Sequence, residues 1–268
     1  MKFQIDHDLH IHTCLSSCSK DPYQNKDFIL EYAKENKLTT VAITDHYWDA
    51  LAGEPSAFYA PQNFEHIREV LPLPESREVK MLFGCESELR SDLVLGVPEV
   101  RYPEFDFIII PTTHLHMKGF TVSEEDFTVP ERLAKLWVSR LDAVLDMALP
   151  FEKLGIAHLT CTLVNKASTD SFYQTMALIS HSDIHRLYEK AAKVGAGIEL
   201  NAGDIRFVEK NPDLLLPFYK IAKEEGCKFY LGSDAHHPSE FKNTIRRFGE
   251  LTETLGLTED DKIPLLLK

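Results

Sequence analysis

Short apolar runs alternate with longer stretches whose apolar residues recur at helical spacing, and the alternation repeats along the whole chain. The run beginning near Phe3, and those at Thr39–Ile43, Val79–Phe83, Phe105–Ile110, Gly155–Ala157, Gly197–Asn201 and Lys228–Leu231, read as buried strands. Helical patterns fall at Asn25–Asn36, Asn63–Val70, Pro130–Ala148, Ser168–Ser180, Ser182–Val194, Pro212–Glu225 and Phe241–Leu255. In the first of these Phe28, Ile29, Tyr32 and Ala33 share one face, and in the third Pro130 opens the first turn while Pro150 lies beyond the end. Four prolines between Tyr47 and Glu78 predict a long excursion there rather than a regular element. Buried strands separated by helices require a parallel sheet with right-handed crossovers. With 268 residues, this α/β pattern predicts a single domain spanning 1–268.

The polar residues change this picture from scaffold to site. Each predicted strand but one delivers a metal-ligating side chain at its C-terminal end, where α/β barrels place their chemistry. The first delivers His10 and His12, whose alternation turns both imidazoles to one face. Later strands deliver His46, Glu86, His114, His158 and the pair Asp234 and His236. Any one of these alone reads as a hydrogen-bonded or solvated residue; eight in register read as a centre for divalent metals. His116 shares a strand face with His114 and is its alternative. His7, His66, His181, His185 and His237 lack this registration and read as surface or packing residues.

Composition narrows the field. A net charge of −13 with no basic run excludes a nucleic-acid footprint. Five scattered cysteines form no disulfide framework, which predicts reduced thiols in a cytoplasmic protein. No uncharged apolar run approaches the length of a membrane span.

The ordered set Asp8-Leu-His-Ile-His-Thr13, Thr44-Asp-His46, Gly84-Cys-Glu86, His114, His158 and Gly232-Ser-Asp-Ala-His236 resembles the motifs of the PHP (polymerase and histidinol phosphatase) superfamily over residues 5–240, closest to its histidinol-phosphatase-like members. The resemblance implies a distorted (β/α)7 TIM-like barrel holding two or three divalent ions, zinc, manganese or iron. By position, His10, His12, Glu86 and Asp234 would hold the first ion and Glu86, His114 and His158 the second, with Glu86 bridging. His46 and His236 would serve a third ion or the proton needed by the departing alcohol. A hydroxide shared by two ions would attack phosphorus.

The first loop departs from the pattern, because Cys18 stands where a histidine is expected; either this thiol or Asp21 would complete the third site. Arg206, seven residues beyond Glu199, is similar in position to a phosphate-clamping arginine, a role that suits a planar guanidinium. The expected activity is hydrolysis of a small-molecule phosphate monoester of histidinol-phosphate type. A phosphatase or phosphodiesterase acting on a nucleotide or sugar phosphate is the alternative of the same chemistry, and a non-catalytic metal-binding module the alternative of another class. Residues 117–150 are expected to form a lid, an interface or barrel cover.

Overall fold

The computed structural model describes residues 1–267, and in it the seven predicted strands form a nearly closed parallel barrel. The strands are β1 (His7–Ile11), β2 (Thr40–Ile43), β4 (Lys80–Ser87), β5 (Phe107–Ile110), β6 (Leu154–Ile156), β7 (Gly197–Asn201) and β8 (Lys228–Gly232), hydrogen-bonded in sequence order. A two-residue strand, β3 (His46–Tyr47), pairs with the far end of β4. The seam between first and last strands is closed by the Asp234 amide donating to His10 O at 2.7 Å and the His12 amide donating to Ala235 O at 3.1 Å.

Helices α1 (Lys26–Glu35), α2 (Phe64–Ile67), α3 (Pro130–Asp146), α4 (Thr169–Ala177), α5 (His181–Val194), α6 (Ala202–Lys210), α7 (Pro212–Glu224) and α8 (Thr244–Thr254) lie outside the barrel strands. Their boundaries follow capping chemistry. The Asn25 side chain accepts from the Asp27 and Phe28 amides at the start of α1, and Gly195 in left-handed conformation ends α5. Helix α3 buries Leu133, Trp137, Leu141 and Val144, so most of segment 117–150 forms outer wall. Only Met117 from this segment reaches the cavity described below.

Two expectations need correction. The first strand begins at His7, because Phe3 is drawn away: its amide donates to Leu257 O and Lys2 bridges Thr258. The strand is also not a simple alternation. Asp8 faces Val41 and Ile11 faces Ile43, three steps against two, so a β-bulge falls at Leu9 and His10. Leu9 can therefore pack inside the barrel while His10 and His12 still converge above it. Second, α6 occupies residues to which the sequence pattern assigns no element, and it carries Arg206.

The barrel interior is a small apolar cluster drawn from most of the strands: Leu9, Ala42, Leu82, Phe107, Ile109 and Tyr230, joined by Ala157 and Ile263. Tyr230 fits because β6 has glycine opposite; a Cβ on Gly155 would stand 2.5 Å from the tyrosine ring. A larger cluster lies between the strands and the helices.

His7 sits in the seam, fully buried. Its Nδ1–H donates to Asp6 at 2.8 Å, and its Nε2 accepts the Leu231 amide at 3.0 Å. Burial lowers the imidazole's pKa, and the bond from Leu231 requires the neutral ring. The neutral form is favoured on folding, so its contribution is present above the unfolded value near 6.5 and is lost as pH falls below it. Between pH 7.5 and 5.5 the wild type should lose more stability than His7→Gln, read as a larger fall in Tm. Parallel thermal melts with equal losses in both proteins would remove His7 as a pH-sensitive element.

Candidate metal centre

The strand ends converge as the sequence reading expects. His10 Nε2 and His12 Nε2 stand 3.1 Å apart. Glu86 Oε2 is 3.5 Å from His10 and 3.3 Å from His12, and Asp234 Oδ1 is 3.4 and 3.3 Å from the same two nitrogens. The other Glu86 oxygen, Oε1, faces a second group, with His158 Nε2 at 3.1 Å and His114 Nε2 at 3.8 Å. One buried carboxylate thus spans two sets of donors.

Hydrogen bonding determines which nitrogens are free. His10 Nδ1–H donates to Glu199 at 2.7 Å and His114 Nδ1–H to Glu88 at 2.8 Å. His12 Nδ1–H donates to Ser16 Oγ at 2.9 Å, whose own hydrogen goes to Asp45 at 2.6 Å. His158 Nδ1 is held by Thr113 Oγ1 at 3.0 Å, which in turn donates to His158 O. With every Nδ1 committed, four Nε2 lone pairs point toward Glu86. This is the outer-shell arrangement that orients imidazoles on metals.

The donor set fits a metal on geometry as well as chemistry. A tetrahedral ion with bonds of 2.0–2.1 Å requires donors roughly 3.3 Å apart, close to the separations in the first group. The groups His10, His12, Glu86 and Asp234, and Glu86, His114 and His158, each bring one atom per residue within 4.8 Å of the others. Glu86 Oε2 and His46 Nδ1 are buried without a hydrogen-bond partner, 2.9 Å apart. Burial alone would lower the pKa of His10, but Glu199, Asp234 and Glu86 outweigh it and hold the value well above the ordinary one. In return, and against burial, the imidazoles keep Glu86 well below the usual carboxylate range. The field at this point calls for positive charge.

The backbone is bent to deliver these groups. His158 and Asp234 have φ of 31° and 55°, in the left-handed region. Gly232 has no side chain because a Cβ there would lie 2.0 Å from Glu199 Oε1, the oxygen that holds His10.

The third group, His12, His46 and His236, is thinner. His12 has only Nε2 free, and that atom already belongs to the first group. His46 and His236 remain, with Nε2 atoms 3.5 Å apart; His236 Nδ1–H donates to Asp234 O. Cys18 lines the same cavity but joins none of the three groups. Asp21 turns away to His237, 3.0 Å distant. His116 stands beside His114 as a cavity wall, not as its replacement. Arg206 lies on the exposed face of α6, in an adjoining cavity that shares Asp234 and His236 with the first.

Glu88, Glu199, Asp45, Ser16 and Thr113 were not singled out from sequence as orienting groups. The usable signal was the two-residue period of strands, which puts Glu88 on the face of Glu86. Asp204 on α6 accepts from the Thr160 amide and hydroxyl, bracing the loop after His158.

Fold and site together define a class: a parallel barrel whose strand ends carry a His/Glu/Asp cluster of metal-binding type. No protein-family model matches the chain, and no curated protein matches it in sequence. Among solved structures it is similar to histidinol phosphate phosphatase from Lactococcus lactis subsp. lactis Il1403, determined in complex with zinc, L-histidinol and phosphate. The TM-score is 0.66 at 17% identity, covering 96% of this chain and 98% of that one, so the two share a fold. No helix among the described residues is long and apolar enough to cross a membrane.

Proposed function

We propose that this chain is a metal-dependent phosphoesterase of the PHP type, hydrolysing a small-molecule phosphate monoester. The observation that carries the reading is the Glu86 carboxylate, placed between two donor groups 3.1–3.8 Å away on either side. A carboxylate so placed would help hold two divalent cations, which would supply the charge stabilisation used for displacement at phosphorus. A structural neighbour solved with zinc and phosphate supports the same chemistry.

His10, His12, Glu86 and Asp234 would hold one ion and Glu86, His114 and His158 the other; zinc suits this nitrogen-rich set. Bound divalent ions supply an activated water near neutral pH and neutralise phosphate charge. The protein's own groups do the rest. Glu199, Glu88, Ser16 and Thr113 fix the imidazoles before substrate arrives. Arg206, with its fork of donors, meets phosphate oxygens from the adjoining cavity. His46 and His236 line the reacting side and serve the departing alcohol. Burial, with His12 adding to it, pushes the His236 pKa down to about 3, which keeps its ring neutral near neutral pH.

Chelation provides the test. Removing metal should reduce hydrolysis of 4-nitrophenyl phosphate by more than about a hundredfold, with recovery on adding zinc or manganese. Full turnover by protein shown metal-free by mass spectrometry would sink the proposal.

A further inference from the structure

Beyond the reacting centre, the cavity says something about the alcohol half of the substrate. It encloses about 380 Å³, in the range of small-ligand sites, and its non-ligand wall combines Phe58, Met117 and Leu163 with the polar groups of Cys18, Tyr59, His116 and Lys166. Its only carboxylates, Glu86 and Asp234, are both turned into the donor groups. Glu88, the nearest further acid, is buried behind His114 and engaged by Tyr59 and the Leu89 amide.

No free acid therefore lines the wall to receive an ammonium group. What it offers is the reverse. Lys166 forms no ion pair or hydrogen bond with any described residue, in a chain whose acids outnumber its bases by 42 to 29. His116 Nδ1 is buried without a partner on the same wall. The adjoining cavity also holds Asp234 and Glu240, but Arg206, Lys242 and Arg247 form no ion pair there with any described residue. An acidic protein that leaves these cations without partners in two adjoining cavities presents sites for negative charge.

We infer that the alcohol half of the substrate is an apolar or flat body bearing its own anionic group, seated against Phe58, Met117 and Leu163 with the anion directed to Lys166 and His116. This rests on the phosphoesterase reading for the position of the scissile phosphate. It separates the chain from catalysts of cationic alcohols such as histidinol, which would place an ammonium beside Lys166.

Two phenols of equal length give the test: 2-(4-hydroxyphenyl)ethanesulfonate, whose sulfonate is a poor metal ligand, and tyramine, its cationic counterpart. Binding of each to the metal-loaded protein is measured by calorimetry, and hydrolysis of their phosphate esters by phosphate release. We expect the sulfonate to bind, and its ester to turn over in kcat/KM, at least tenfold better than the amine. Lys166→Glu, a change at an exposed side chain, should reverse that order. Equal or tighter binding of tyramine by the wild type, or a preference unmoved by Lys166→Glu, overturns the inference. The sulfonate preference and its reversal in binding, with both esters inert, would support the anion subsite and count against the phosphoesterase reading instead.

Discussion

Glu86→Gln should lower hydrolysis of an aryl phosphate by about a thousandfold or more and reduce tightly bound metal from two equivalents to one or fewer. The substitution keeps the side chain's size but removes the charge that faces both donor groups. Glu86 is the one residue common to both, with Oε2 toward His10 and His12 and Oε1 toward His158 and His114. A neutral amide presents one oxygen and one N–H group, and the N–H group would point at imidazole Nε2 atoms that ought to be ligands. Metal-borne charge stabilisation is worth several kcal/mol, and about 4 kcal/mol corresponds to three decades in rate. Metal content by mass spectrometry and steady-state kinetics on the same sample decide the matter. Two retained equivalents with near-native kcat would show that the carboxylate does not bridge.

The second large effect lies away from the donors. Arg140 on α3 is buried at 1% exposure, and its guanidinium gives all its nitrogens to backbone. Nε donates to Thr112 O at 2.8 Å, Nη2 to Leu89 O at 2.7 Å, and Nη1 to Thr121 O and Arg90 O at 3.2 and 3.3 Å. Leu89 and Arg90 lie just beyond Glu86, Thr112 just before His114, and Thr121 in the segment that follows it. Burial lowers the arginine's pKa to about 10, against the pull of nearby Glu88, so it remains charged at neutral pH. Arg140→Met fills similar volume and leaves the carbonyls of Leu89, Thr112 and Thr121 without their arginine donor, while Arg90 O keeps the Leu93 amide. The expected loss is about 3–5 kcal/mol, or about 10 °C in Tm. Arg140→Lys, with fewer donors, should recover only part of it. A Tm within 2 °C of wild type for Arg140→Met would mean that the carbonyls find water instead.

Much of this architecture was legible because two signals coincide at each strand end. An apolar run marks the strand, and the first polar residues after it carry the chemistry. That coincidence located His46, Glu86, His158 and Asp234 without knowledge of their neighbours. The PHP-like motif order then suggested how they group, and the donor distances are consistent with that grouping. What stayed hidden had weaker local marks. Helix α6 begins directly from Asn201 with Ala-Gly-Asp, poor helix formers apart from alanine; it is set by the Asn201 cap and by burial of Ile205 and Val208. The bulge at His10 depends on pairing with β2, which no run of residues along β1 encodes. Glu199 and Glu88 look like any strand acid until His10 and His114 stand beside them. The Cys18 loop remains least determined, since its thiol faces the cavity without joining a donor group.

Ile263 sits within the barrel's interior cluster, beside Tyr230, and its amide donates to Phe229 O. A chain made from its N-terminus must therefore emerge through residue 263 before that interior is filled. Until β8 and residue 263 have left the ribosome, Leu9, Leu82 and Phe107 lack their final packing partners, and Asp234 cannot reach His10. Until then the nascent protein would hold an open, apolar trough, the kind of surface that chaperones recognise. Completion of the barrel and completion of the metal centre would then be nearly one event.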